Sequence, residues 1–263
     1  MLIVFGALKI ELIPILKMIH VYNIQRTGKT IIYKGYRNSR PVTIIQTGMG
    51  AENAKRAAKL FKDNHLDYTK NSSNPIEILM IGFCGAADGS LKVGDTVVYG
   101  SIKNITRSSG KEFSLSGSLD LEKGRPVHHL VKDALYVIGA TVTEVITGPA
   151  IKKKLNTSFN IQAIDMESYP VAETILGMNL PFSCISIVSD GARDLLPSYL
   201  GSSTRFKMAT DIILSLLRSI FDRKEFIANK NTISNLRKAN RRLTKLSADL
   251  ISALLTDTLN NTL

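Results

Sequence analysis

Apolar residues fall along this chain in short runs, and segments with helical spacing lie between them. Leu2–Phe5 reads as a strand; after Gly6 a helix follows over about Lys9–Ile19, with Pro14 a kink in it. Thr30–Lys34 and Val42–Gln46 read as strands flanking the turn material of Gly35–Pro41. Gly48-Met49-Gly50 opens a helix over about Ala51–His65, whose regular apolar positions are Ala54, Ala57, Ala58 and Phe61. Beyond a polar connector, Asp67–Pro75, the run Ile76–Ile81 is apolar apart from Glu77, as a strand buried on both faces should be. Gly82–Ala87 then reads as a glycine-rich turn at that strand's end.

The second half continues the alternation. Thr96–Ser101 is a predicted strand, Lys103–Arg125 a long polar loop and Val127–Ile138 a helix. Thr141–Thr147 and Ile161–Ile164 are predicted strands, followed by a helix over Glu167–Leu176 and the strand Phe182–Val188. A loop over Ser189–Ser198 and a helix near Ser203–Asp222 complete the pattern. Strands alternating with helices predict an α/β fold with helices on both faces of a central sheet. At 263 residues the expected organisation is one α/β domain, residues 1–222, with a helical C-terminal extension, residues 223–263.

That extension differs in kind. It carries eight Lys or Arg against three acids, contains no Pro or Gly, and reads as helix. Lys238, Arg241, Arg242 and Lys245 share one face, while Leu236, Leu243, Leu246, Leu250 and Leu254 lie on the other side. Three readings stand: a helix docked by its leucine face, an interfacial helix drawn to an acidic membrane surface, and a nucleic-acid contact. Docking is the default for an amphipathic helix. A net charge of +12 favours an anionic partner, yet 6% aromatics and no Trp are poor material for stacking bases, so nucleic acid is unlikely.

No apolar run approaches the roughly 18 residues of a spanning helix, and the apolar N-terminus has no basic leader, so a cytoplasmic location is expected. Cys84 and Cys184, far apart and with no CxxC or Cys/His grouping, read as buried small hydrophobes; no metal and no cofactor is expected.

Open α/β sheets bind ligands at the carboxyl ends of their strands, and several chemical groups fall there. Gly48 and Gly50, and Gly82 and Gly85, sit where a backbone could approach a ligand closely. Asp165-Met166-Glu167 ends a strand and begins a helix; an acid there either favours the helix N-terminus or accepts hydrogen bonds from a cis-diol. Ser189-Asp190 follows a buried strand, where desolvation favours the neutral, proton-donating form of the acid.

IQTGMGAENAKRAAKLF, MIGFCGAADGSLKVGDTVV, AIDMES and PFSCISIVSDGARD resemble, in order and spacing, the nucleoside phosphorylase/nucleosidase superfamily over about residues 1–220. The wording is similar both to methylthioadenosine/S-adenosylhomocysteine nucleosidases and to the hopanoid-associated branch, which acts on adenosylhopane. The resemblance implies a three-layer α/β/α fold with a central mixed sheet, a homodimer, and cleavage of the N-glycosidic bond of a purine nucleoside. By the same resemblance Glu11 activates water, Glu167 binds the ribose diol with Met166 under the sugar, and Asp190, beside Ser189, protonates the base. Gly48, Gly50, Gly82, Cys84 and Gly85 line the floor, and Ile151 stands where the nucleosidases place an aromatic residue on the base.

Two departures matter. Met80 occupies the place of a phosphate-binding arginine of the phosphorylases, and no arginine lies near Gly6; Arg193 is one remaining cation. Phosphate would be poorly held, which favours hydrolysis over phosphorolysis. Ile151 cannot stack as an aromatic ring does. A nucleoside-binding protein without turnover is the alternative from another class, and the joint presence of Glu11, Glu167 and Asp190 speaks against it.

Overall fold

The computed structural model describes residues 1–65, 76–108, 112–121, 130–197, 200 and 223–256. Its strands are β1 (Leu2–Gly6), β2 (His20–Thr27), β3 (Thr30–Arg37), β4 (Arg40–Gln46), β5 (Glu77–Ala86), β6 (Thr96–Ser108), β7 (Glu112–Asp120), β8 (Leu135–Val142), β9 (Ala163–Asp165) and β10 (Ser183–Asp190). Its helices are α1 (Lys9–Leu16), α2 (Ala51–His65), α3 (Pro149–Phe159), α4 (Ser168–Leu176) and α5 (Arg223–Thr256). All ten strands join one mixed sheet.

The sheet curls until part of it closes. β5 pairs in parallel with both β1 and β10, β10 pairs with β6, β6 with β8, and β8 with β9. β9 returns to β5 through Gly85 opposite Ile164 and Ala86 opposite Ala163. β5 is thus the hub, and the ends of β5, β9 and β10 meet at one place. On the other side β1, β4, β3 and β2 continue the sheet to its edge.

Helices cover both faces, which gives three layers. Ile3 and Phe5 of β1 point into a core completed by Ala54, Phe61, Val171 and Ile175 of α2 and α4. Leu2 and Val4 point the other way, into a core completed by Leu12 and Ile15 of α1 and Leu243 and Leu250 of α5. This two-sided burial is why β1 reads as an unbroken apolar run. Helix α5 therefore lies on the sheet by its leucine face, with Leu243 and Leu250 at most 1% exposed. Arg241 and Lys245 remain exposed, while Arg242 turns in to donate from Nε to Thr96 Oγ1 at 3.2 Å. Among the described residues no helix is long and apolar enough to cross a membrane.

Several predicted elements are corrected. The polar stretch over Lys103–Arg125 is largely the hairpin of β6 and β7: Ile102 and Ile105 are buried, while Thr106, Ser114 and Ser116 face solvent and hydrogen-bond across the pair. A ladder with one wet face has the composition of a loop. The helix predicted over Val127–Ile138 and the strand over Thr141–Thr147 give way to one strand, β8, and residues 122–129 lie outside the described part. The β-branched Val137, Ile138, Thr141 and Val142 fit that pleated setting. Gly82–Gly85 is no turn, since β5 runs through it to Ala86. β2 and α3 were not foreseen, and the helix near Ser203–Asp222 falls on residues outside the described part.

Candidate active site

Gly82 and Gly85 of β5 are small because a carboxylate lies against each. A Cβ on Gly82 would stand 2.9 Å from Glu11 Oε1, and one on Gly85 would stand 2.8 Å from Asp190 Oδ2. Three residues of strand separate the two, roughly 10 Å of rise. Both acids line one cavity of about 220 Å³, whose wall also holds Glu167, Met166, Cys84 and Ser189.

Glu11 sits in the first turn of α1 and is 4% exposed. Leu8 donates its N–H to Oε2 at 2.7 Å and Phe83 donates its N–H to Oε1 at 3.1 Å. The first contact caps the helix; the second ties the carboxyl to β5. Burial raises its pKa to about 7, against the opposing pull of these backbone donors, with Asp165 adding repulsion.

Glu167 precedes α4 and is 7% exposed. Its Oε1 accepts the Gly50 N–H at 2.6 Å. Gly48 and Gly50 adopt φ of +82° and +96°, a turn that L side chains resist, and this turn aims the Gly50 donor at the acid. Burial, then the charge of Asp165, raise the pKa of Glu167 to about 8. Asp165 itself does the capping that Glu167 could have done. Its Oδ1 accepts N–H groups of Glu167 and Ser168, each at 3.1 Å, and the Thr141 hydroxyl at 2.8 Å. Glu167 is thereby left for the cavity.

Asp190 ends β10, where the register with β5 shifts after Val188. Ser189 Oγ lies 2.8 Å from Asp190 Oδ1 and 3.1 Å from the Cys84 carbonyl. Its main partner is a residue that sequence reading passed over. Lys152 Nζ donates to Asp190 Oδ2 at 2.5 Å and to the Gly191 carbonyl at 2.8 Å, and Lys152 is 1% exposed. Asp190 is thus one half of a buried ion pair.

The remaining predicted residues divide. Gly48, Gly50 and Gly82 act from behind the wall, by shaping the backbone and the acids' positions, and are not part of it. Ile151 packs against the cluster of Ala140, Val142 and Leu155 instead, and its neighbour Lys152 faces the cavity. Arg193 is exposed and outside the wall. Helix α5 also contributes: Leu236 lines the cavity, and Asn235 donates to Asp194, which in turn accepts the Gly191 N–H. A larger open groove of about 490 Å³, beside Lys29, Arg56 and Lys59, has none of the buried acids in its wall.

Residues 2–208 match the family model described as the phosphorylase superfamily. The 5'-methylthioadenosine/S-adenosylhomocysteine nucleosidase of Staphylococcus carnosus is 23% identical over 209 residues, covering 72% of this chain and 86% of that one. Its counterpart in Staphylococcus aureus is 26% identical over 172 residues, covering 60% of this chain and 72% of that one. Among solved structures, the futalosine hydrolase of Helicobacter pylori superposes with a TM-score of 0.69 at 16% identity, covering 96% of this chain and 97% of that one. The 5'-methylthioadenosine/S-adenosylhomocysteine nucleosidase of the same organism gives 0.69 at 15% identity, with the same coverage.

Proposed function

For a chain that belongs to the phosphorylase superfamily, we propose hydrolysis of the N-glycosidic bond of a purine nucleoside. The observation that carries this reading is that Glu11, Glu167 and Asp190 line one cavity. Glycosidic cleavage needs such an arrangement: a nucleophile on one face of the sugar, a proton for the leaving group on the other, and anionic groups beside an oxocarbenium-like carbon.

Glu11, as carboxylate, takes a proton from water while the oxygen bonds to the anomeric carbon. The bond to the base breaks, and the base takes the proton of the Asp190 carboxyl, in its protonated form, which solvent restores once the base has left. Glu11 then releases its proton, which balances the step. Glu167 accepts the ribose hydroxyls, with Met166 beneath the sugar. Burial raises the pKa of both Glu11 and Glu167, so the charge they acquire on ionising finds its counterpart in the developing sugar cation.

Hydrolysis is favoured over phosphorolysis because, among the described residues, no arginine lines the cavity, and its one lysine is engaged by Asp190. Leu8, Met49 and Leu236 are each more than 40% exposed, yet all three line this cavity. Such an apolar rim suits an apolar 5'-substituent on the nucleoside. The names of the nucleosidase relatives support the same class of substrate. The test is the release of free base from methylthioadenosine, adenosine, inosine and adenosylhopane by the full-length protein; no release from any of them overturns the reading.

A further inference from the structure

Strand β10 stops at Asp190, its register with β5 having shifted after Val188. The chain that continues from the acid is a turn, Gly191–Asp194, closed on itself. Asp194 donates its N–H to the Gly191 carbonyl at 3.1 Å, and its Oδ2 accepts the Gly191 N–H at 2.8 Å. The same carbonyl accepts Lys152 Nζ at 2.8 Å, and Lys152 holds Asp190 Oδ2 at 2.5 Å. The turn is tied outward by the Leu196 N–H, which donates to the Thr147 carbonyl at 2.9 Å, and by Asn235 Nδ2, which donates to Asp194 Oδ2 at 2.9 Å.

Asn235 comes from α5, one turn before Ala239 and two before Leu243, both 0% exposed where that helix packs on the sheet. An apolar residue would continue this stripe, whereas an amide set there needs a partner. A carboxylate only accepts, so it is the amide nitrogen that faces Asp194, and the bond fixes both side chains. We propose that Asn235 is a positioning residue for the acid: through Asp194 it holds the Gly191 peptide, whose carbonyl fixes the Lys152 ammonium against Asp190. This rests on the glycosidic reading above. Gly191, Asp194 and Asn235 all lie outside the cavity wall, so they act on the acid and not on the substrate. A reacting group displaced by about 1 Å can cost on the order of 10²-fold in rate, which gives such a chain of bonds its weight.

The test is steady-state kinetics on the full-length protein, with whichever nucleoside of the panel above the wild type cleaves. Asn235→Ala and Asp194→Ala are each expected to lower kcat by about tenfold or more while KM stays within about threefold. The double variant is expected to be no slower than Asp194→Ala alone, since both changes cut one chain. Asp194→Asn keeps an oxygen for both donors and is expected to recover most of the rate that Asp194→Ala loses. Alanine is a better helix former than asparagine, so Asn235→Ala leaves α5 itself intact. A folded Asn235→Ala protein with kcat within about twofold of wild type overturns the proposal, as does a loss confined to KM or losses that multiply in the double variant. An Asp194→Asn protein as slow as Asp194→Ala overturns it too, because charge and not the hydrogen bonds would then be at work. If Asp194→Ala fails to fold, Asn235→Ala and Asp194→Asn decide. If the wild type cleaves no nucleoside of the panel, the glycosidic reading fails and this inference falls with it.

Discussion

Lys152 Nζ lies 2.5 Å from Asp190 Oδ2, a buried ion pair that joins the start of α3 to the end of β10. The acid assigned to the leaving group is therefore held in place by a buried lysine.

Replacing Asp190 by Asn keeps the side chain's size and an oxygen for Lys152 but removes the transferable proton. Turnover is expected to fall by about 10²–10⁴, the usual worth of one positioned proton donor. Binding of the free base should change only a few-fold. Steady-state kinetics and calorimetry on the same preparation check this; near wild-type turnover would remove Asp190 from the mechanism.

Glu11 must be ionised to activate water, and its pKa is held at about 7. Below that value kcat/KM should fall about tenfold for each pH unit, and it should level above it. Glu11→Gln is expected to be slow at every pH and to lose this limb. A variant that keeps both the rate and the limb shows that Glu11 serves only to cap α1.

Protonation of Glu167 also bears on stability. Its pKa of about 8 in the folded protein lies above the ordinary 4.5. Below about pH 4.5 the folded and unfolded chains both hold the proton. Between there and pH 8 the unfolded chain releases it first, so stability falls as pH rises, and the loss is complete above pH 8. Glu167→Gln abolishes this loss. Its unfolding free energy relative to wild type should rise by at least ~2 kcal/mol from pH 5 to pH 9, since a tenfold change in proton affinity is worth about 1.4 kcal/mol. A difference that does not vary with pH contradicts the burial of this acid. The same variant should lose far more activity on ribosides than on 2',3'-dideoxy analogues.

Much of this site was legible because its residues lie next to motifs with a backbone reason. Gly82 and Gly85 mark close approach, and Asp190 follows an apolar strand. What sequence reading placed wrongly at Gly82–Ala87 was the cause: the glycines sit in a continuing strand, against acids from elsewhere in the chain, and no local pattern separates that from a turn. Lys152 was hidden in a run of three lysines that reads as a solvated face. Its one signal is spacing, since it shares a stripe with Leu155 and Phe159. β2 escaped because an edge strand exposed on nearly every residue shows no alternation. The basic face of α5 drew notice by its charge, while the leucines opposite carry the packing.

Those leucines make α5 part of the core with Leu2, Val4 and Ile185. A chain ending at Asp222 is expected to lose cooperative unfolding, and Leu250→Ala in the full chain to cost about 2–5 kcal/mol. Thermal denaturation followed by circular dichroism decides: a truncated chain that melts cooperatively near the wild-type temperature makes α5 an appendage after all.

In the proposed hydrolysis, water activated by Glu11 displaces a purine protonated by Asp190. Its most direct test is the identity of the sugar product, followed by proton NMR during turnover in buffer with and without inorganic phosphate. Free sugar with an unphosphorylated anomeric carbon, formed at the same rate in both buffers, is the expected result. A sugar 1-phosphate that appears only when phosphate is present would contradict it.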